Sequence, residues 1–313
     1  MNDCPNGSSI PEFTIVAFSI SSSSQLVLSL GILIIYLITI FGNIAVFLLV
    51  CLAPKLHTPM YFFLSNLAIV DVTSTSTCVP KLLFITLTWD HRISFSCCMT
   101  QLFFFVLGCD AEVFMLTSMA YDRYVAICKP LQYYIIMRKN VYIAMAAFCW
   151  LLGALNSLLH TLLTSVLQFC FSRDINNFFC DLNSLIALAS TNTQSRKIFM
   201  FFELYLLIFV QFMLTIISYV FIFSAILKIR SSVGRMKAFS SCTSHLITVI
   251  LYYAPSMFLY MKTDSKDSKK QDALLSIIYL VVVPMLNPLV YSLRNKEVWD
   301  AIVILTNQSK KHF

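Results

Sequence analysis

Charge is scarce in this chain. Of 313 residues only 12% are Asp, Glu, Lys or Arg, against an average of roughly 25% in soluble proteins. So little charge excludes an intrinsically disordered chain, which stays unfolded because it is polar and highly charged. It also argues against a soluble enzyme or a small secreted disulfide scaffold, since no soluble fold of this size hides so much apolar surface. Catalytic signatures are missing as well: there is no Gly-rich phosphate loop, no zinc-ligand spacing and no nucleophile elbow. The five histidines, His57, His91, His160, His245 and His312, are dispersed. His160 and His245 read as packing or hydrogen-bonding residues. No basic platform interleaved with aromatics suggests nucleic acid as a partner. The N-terminus has no basic region followed by a short apolar core and a cleavage site, so no cleavable signal peptide is expected and the first apolar stretch serves as the insertion signal. Internal repeats and low-complexity linkers are absent.

What fills the chain instead is apolar. Hydrophobic residues make up 58% and the mean hydropathy is +0.80. Charge-free runs are each long enough for the roughly 20 helical residues that cross a hydrocarbon core. With two further runs that carry a few charges, they predict seven helical spans at 26–52, 59–83, 98–127, 141–166, 198–227, 238–261 and 272–292. Helices are the expected form because lipid offers the backbone no hydrogen bonds. The fold class is therefore an all-α membrane protein, a seven-helix bundle, with residues 1–25 as an outer N-terminus and 294–313 as a C-terminal helix and tail. Thirteen Lys and Arg residues fall on the C-terminal side of the membrane and nine on the other. That difference predicts a cytoplasmic C-terminus and an extracellular N-terminus. Asn6 begins an Asn-Gly-Ser glycosylation sequon on the expected outer side, in keeping with this orientation. One loop is long, between spans four and five, and long ordered loops in otherwise tight bundles are often functional.

Carboxylates inside a membrane are costly and mark candidate sites. Asp71 lies midway along span two and Glu112 near the middle of span three. Arg123 follows Glu112 by three turns and shares its face. Asp71 with Glu112 makes a place for a sodium ion or a shared proton, the alternative being a polar network with Asn43, Asn287 and Ser292 that only fixes packing. No other cofactor or metal is expected. Asp110 projects about 200° away from Glu112 on the helical wheel, on the face of Phe103 and Val106. Glu203 lies in the outer half of span five. The two acids suit either a cationic ligand or a protonated, hydrogen-bonded state.

The motifs carry a resemblance. They are Gly42-Asn43 in span one, Leu56-His57-Thr58-Pro59-Met60-Tyr61-Phe62-Phe63-Leu64 entering span two, and Met119-Ala120-Tyr121-Asp122-Arg123-Tyr124-Val125-Ala126-Ile127-Cys128 closing span three. Ser218-Tyr219 follows in span five, then Lys237-Ala238-Phe239-Ser240-Ser241-Cys242-Thr243-Ser244-His245-Leu246 opening span six, and Pro284-Met285-Leu286-Asn287-Pro288-Leu289-Val290-Tyr291-Ser292-Leu293-Arg294-Asn295 in span seven. With these strings the chain resembles the vertebrate odorant receptors, a branch of the rhodopsin-like G-protein-coupled receptors, over nearly its full length.

The resemblance implies a receptor that binds a small volatile in the outer half of the bundle and activates a stimulatory, olfactory-type G protein, raising cyclic AMP. It implies that Asp122, Arg123 and Tyr124 form the inner lock, that Tyr219 and Tyr291 move on activation, and that Asn287 and Pro288 make the hinge of span seven. It pairs Cys98 with Cys180, pinning the long loop over the pocket. Residues 293–305 resemble a short amphipathic eighth helix, with Trp299, Ile302 and Leu305 facing the membrane. Spacing and resemblance together nominate Phe105, Val106, Cys109 and Asp110 on span three, Glu203 and Leu207 on span five, and Tyr253, Ser256 and Tyr260 on span six as ligand contacts. Asp110 is expected to favour an amine or another strong hydrogen-bond donor, unless it is protonated and serves alcohols or ketones.

Some positions depart from the pattern. Cys170 matches the first member of an additional cysteine pair in the long loop, but Ser190 stands at the second, so the resemblance does not carry that bridge over. Cys4 and Cys97 bring the outer cysteines to an odd five. Span six carries Tyr252-Tyr253-Ala254-Pro255 where the family has an aromatic-glycine-threonine run. Two alternatives stay open: a rhodopsin-like receptor for a non-odorant amine or metabolite, and an ion-coupled transporter. The transporter predicts inverted repeats that this sequence lacks.

Overall fold

The computed structural model describes residues 12–16, 22–170, 172–190, 194–261, 276–294 and 296–309. Long helices dominate: α1 (Ser22–Leu52), α2 (Pro59–Thr88), α3 (Phe95–Cys128), a short α4 (Tyr133–Ile136), α5 (Lys139–Ser165), a short α6 (Leu182–Leu188), α7 (Gln194–Leu227), α8 (Ser232–Met261), α9 (Val283–Arg294) and α10 (Lys296–Ser309). Spans one to six are α1, α2, α3, α5, α7 and α8. Span seven is α9 together with the π-helical turns Ile278–Val282 that lead into it. Five of these helices are long and apolar enough to cross a membrane on the described residues alone. α8 supplies the sixth span, and the shorter apolar run Ile278–Tyr291 completes the set. Together they form the seven-helix bundle expected from the sequence, with α10 as the short C-terminal helix.

Start signals are local. Pro59 at the first helical position of α2 supplies the fixed φ that suits a helix start, where its missing N–H costs nothing. Ser94 caps α3 by accepting the Cys97 N–H. α2 ends at Trp89, which adopts the left-handed conformation at φ 59°. Helices α7 and α8 begin at Gln194 and Ser232, earlier than the apolar stretches at 198 and 238, because adding polar residues to an existing helix costs little once it is nucleated.

The bundle is inside-out relative to a soluble protein. Val27 is 72% exposed and Phe41 67%, and similar apolar side chains stand out along α5 and α7. Water would penalise this surface; hydrocarbon does not. The polar groups Asn43, Asp71, Glu112, Asp122 and Asn287 are instead buried. Small residues set the tightest crossings. A β-carbon on Gly42 would lie 3.1 Å from Pro288 Cγ, and one on Gly108 only 1.9 Å from Ser74 Oγ. Spans one and seven, and spans two and three, therefore approach closely at these glycines: a side chain at Gly108 would have to turn the Ser74 hydroxyl aside, and one at Gly42 would have to shift the Pro288 ring by a few tenths of an ångström.

A small sheet closes one end of the bundle, the outer end in the orientation expected from the sequence. Strand β1 (Glu12–Ile15) lies between β2 (Arg92–Ser94), with which it is antiparallel, and β3 (Asp174–Ile175), with which it is parallel. Phe13 is fully buried there, edge-on to Phe169 at 5.0 Å between ring centres. Residues 12–15, read from the sequence simply as part of an outer N-terminus, thus join the core under the long loop. At the opposite, inner end, Val298 and Ala301 of α10 are buried, and Lys55 meets Asp300 at 3.3 Å. Trp299, Val303 and Ile304 are exposed on α10, while Ile302 is half-buried and packs partly against the core. The Leu305 side chain, the Asn6 sequon, Cys4 and the basic segment 262–270 lie outside the described residues.

Candidate functional site

At the outer end, Cys98 and Cys180 form a disulfide with Cα atoms 5.5 Å apart, as the resemblance implied. A polar tether that sequence reasoning missed supports it. Gln101, one turn below Cys98, accepts the Cys180 N–H at 2.8 Å and donates to the Thr77 carbonyl at 3.0 Å. The loop residues just before Cys180 point inward. Phe178 and Phe179 are buried with Cys78, Val79 and Leu82 of α2 and with Leu280 and Val281 of span seven. Phe179 meets Phe105 of α3, ring centres 4.7 Å apart. Just after it, Asp181 caps α6 by accepting the Ser184 N–H at 3.0 Å. Burial pushes its carboxyl up from the ordinary value, against these hydrogen bonds. Cys170 is itself disulfide-bonded. Its N–H also donates to Ser190 Oγ at 2.8 Å, and the Ser190 N–H donates to the Gln168 carbonyl at 2.8 Å. At the position where the resemblance would place a second cysteine, hydrogen bonds hold the two loop segments together.

Below this lid the nominated ligand contacts divide into two groups. Cys109 and Tyr253 border an aromatic cluster between spans three, six and seven. In it, Tyr252 donates to the Cys109 carbonyl at 3.0 Å and Tyr279 donates to Tyr252 at 3.0 Å. Tyr253 packs on Phe212 with ring centres 5.1 Å apart, and Ser256 turns back to the Tyr252 carbonyl at 2.9 Å. Phe105 and Leu207 are half-buried, and Val106 is buried in the outer core with Cys98 and Leu102. Tyr260 belongs to α8, but its side chain lies outside the described residues.

The second group faces span four. Asp110 is 2% exposed and accepts the Asn156 amide at 3.0 Å. Gly153 lies against the Asp110 β-carbon, where an added Cβ would sit at 3.4 Å. His160 Nε2 approaches Glu203 Oε2 at 2.8 Å. The two acids are thus joined to α5 by Asn156 and His160, residues that no motif marked.

Deeper, Asn287 donates to both carboxylate oxygens of Asp71, at 3.0 and 3.2 Å. Asn43 donates to the Pro284 carbonyl at 3.0 Å, which ties span one to span seven. Ser292 belongs to α9, but its side chain lies outside the described residues. At the inner end, Asp122 is fully buried. It takes Arg123 Nη2 at 2.6 Å and the Tyr133 hydroxyl at 2.8 Å. Burial pushes the Tyr133 phenol up, keeping it a donor. Arg123 also reaches across to Ser241 Oγ on span six at 2.9 Å. Tyr219 of span five lies 2.6 Å from His245 Nδ1, and His245 Nε2 lies 3.0 Å from the Leu116 carbonyl. A carbonyl only accepts, so Nε2 carries the ring proton, and the neutral ring's Nδ1 accepts from the tyrosine. Tyr124 packs beside Phe221 of span five. Spans three, five and six are therefore latched at two points one helical level apart. Tyr133, Ser241 and His245 complete this latch. Their sequence signal was only that polar groups recur at the inner ends of spans, without spacing that would name partners.

Among the described residues, no group of three or more His, Cys, Asp or Glu side chains is placed to hold a metal ion.

Comparison with known proteins gives one answer. A family profile described as Olfactory receptor matches residues 32–309. The chain is 44% identical over 297 residues to Olfactory receptor 1G1 of Gorilla gorilla gorilla, covering 95% of each chain. It is 42% identical over 305 residues to Olfactory receptor 5B12 of Homo sapiens, covering 97% of each. It is also 42% identical over 296 residues to Olfactory receptor 5AR1 of Mus musculus, covering 95% of this chain and 96% of that one. With likeness at this level over nearly the whole length, the chain belongs to the olfactory receptor family and is a multi-pass membrane receptor of the G-protein-coupled class, not an enzyme.

Proposed function

We propose that this receptor binds a small volatile ligand in its outer half, under the loop pinned by Cys98 and Cys180, and activates a stimulatory G protein of the olfactory type, raising cyclic AMP. The N-terminus is extracellular and the C-terminus cytoplasmic in this reading. The observation that supports it is the double latch at the inner end: Arg123 with Ser241, and Tyr219 with His245. Each contact joins a different span to span six. A ligand that favours outward movement of span six needs to weaken only a few hydrogen bonds, each worth roughly 0.5–1.5 kcal/mol net and more where charged. Ligand binding energy of a few kcal/mol then shifts the population between two arrangements. The aromatic cluster of Cys109, Tyr252, Tyr253 and Tyr279 connects the outer pocket to span six through apolar walls and a few polar groups, the usual makeup of a small-ligand site. A cyclic-AMP reporter screen against a broad odorant panel tests the reading. Activators are expected among small volatiles, and a response through a different second messenger would overturn the transducer assignment.

We further propose that Asp71 and Glu112 take up a sodium ion or share a proton. Asn287 neutralises neither acid, and Glu112 Oε1 and Asn287 Oδ1 are buried with no hydrogen-bond partner among the described residues. Buried acceptors with no donor fit a cation or an added proton. Sodium chloride is expected to raise the unfolding temperature of detergent-purified receptor above that in equimolar choline chloride, and Asp71→Asn to remove the difference. No difference in the wild type at any pH between 6 and 8 would leave the proton as occupant.

A further inference from the structure

We propose that Asp110, His160 and Glu203 form a subsite for the ammonium group of a small amine, with Glu203 as the residue that meets the ligand and Asp110 as the charge behind it. The inference rests on the reading of this chain as a ligand-binding receptor and names the ligand class.

The argument begins with charge. The subsite draws one carboxylate from α3, one from α7 and one imidazole from α5. Its fourth polar member is the neutral Asn156 amide, which Asp110 already engages. Even a fully protonated His160 offsets one of the two carboxylates and leaves the other uncompensated. Among the described residues no Lys or Arg lies within ion-pair distance of either acid. A buried negative charge without a partner is expensive, so the cluster gains from a cation supplied from outside.

Geometry gives an independent observation. His160 is fully buried. Its Nε2 is only 2.8 Å from Glu203 Oε2, yet neither ring nitrogen nor that oxygen makes a hydrogen bond among the described residues. The approach is close but off the hydrogen-bonding direction. A buried imidazole and a carboxylate oxygen therefore stand side by side with unused capacity, next to Asp110, on which both act electrostatically. An ammonium group, with three donors and no acceptor, matches what is missing. It can donate to the Glu203 carboxylate and balance the one acid that a protonated His160 leaves uncompensated; beside a neutral His160 it can also donate to the ring's acceptor nitrogen, and it then halves the negative charge of the cluster.

Exposure decides the roles. Asp110 is 2% exposed and His160 0%, whereas the Glu203 side chain keeps 26%. Glu203 Oε2 is itself buried against His160, so the exposure belongs to the rest of the Glu203 side chain, and from that side Glu203 is the acid a ligand meets first. Asp110, held by Asn156 and packed against Gly153, supplies field rather than contact. This reverses the order expected from the sequence, which placed Asp110 first.

The test is a binding measurement that does not depend on the G protein. Detergent-purified receptor is unfolded thermally in the presence of primary n-alkylamines from propyl to octyl and of n-alcohols of the same lengths. At least one amine is expected to raise the midpoint at concentrations where its matched alcohol does not. In Glu203→Gln the amine's half-saturating concentration should rise roughly ten- to hundredfold, as for loss of one charge-assisted hydrogen bond, with the response to alcohols unchanged. Asp110→Asn should weaken amine binding less than Glu203→Gln. Should Glu203→Gln fail to fold, Glu203→Asp keeps the charge on a shorter stem and is expected to weaken amines while still preferring them to alcohols. Equal stabilisation by amine and alcohol across the series would overturn the proposal, as would unchanged amine binding in Glu203→Gln. A receptor that binds amines in this assay but stays silent in the cyclic-AMP reporter would leave the subsite standing and remove the proposed transducer instead.

Discussion

Replacing Arg123 by alanine is expected to abolish ligand-driven cyclic AMP, and to leave normal surface levels only when Asp122 is neutralised as well. By its position at a helix end, Arg123 reads as a residue that transduction needs and folding does not. Its surroundings say more. Asp122 is fully buried, and its partners are the Arg123 guanidinium at 2.6 Å and the Tyr133 hydroxyl at 2.8 Å. Removing one member of a buried ion pair typically costs about 3–5 kcal/mol, because the other charge is left without compensation. That is a large part of the roughly 5–15 kcal/mol that keeps a domain folded. Arg123→Ala alone should therefore reach the surface poorly and give no signal. Asp122→Asn with Arg123→Ala removes the stranded charge, so surface staining by flow cytometry should recover while cyclic AMP stays flat. The same logic predicts raised ligand-independent signalling in Asp122→Asn alone, where Arg123 is released from its acid. A double variant that signals at wild-type amplitude would take Arg123 out of the transduction path.

Cys98→Ser and Cys180→Ser are each expected to prevent surface delivery, with the double variant no worse than either single one. The bond spans 82 residues of sequence, for which chain entropy alone gives about 4–5 kcal/mol of stabilisation. Both substitutions break one bond, so their effects should not add. More than the bond is at stake. Phe178 and Phe179 enter the core just before Cys180, Asp181 caps α6 just after it, and the Cys180 N–H is held by Gln101. Losing the disulfide frees the segment that builds the lid. Mass spectrometry of the native protein that linked Cys97 to Cys170 and left Cys98 reduced would overturn the pairing, and normal delivery of either serine variant would remove its structural role.

The seven spans, their order and the short final helix were legible in the chain because they rest on one-dimensional physics. A run of about 20 apolar residues in hydrocarbon has one way to satisfy its backbone, and each span does so from its own residues. Lone charges such as Asp71, Glu112 and Arg123 were equally visible, since cost in a membrane is a property of the residue before it is a property of the fold. The motif strings carried the family. Pairings between distant residues were a different matter. Strand β1 has four residues, too few for an alternating pattern to show, and its partners lie near residues 92 and 174. Only the folded outer end brings the three together. Gln101, Asn156, Tyr133 and Tyr279 carry no spacing signal because each acts on another helix, and the rotation of one helix against the next is fixed by packing. The close crossings at Gly42 and Gly108 contribute to that rotation. The same rotation turns Asp110 toward span four and leaves Glu203 the more accessible acid. Helical periodicity places a residue on a face of its own helix; which neighbour that face meets is decided by the contacts of all the helices at once.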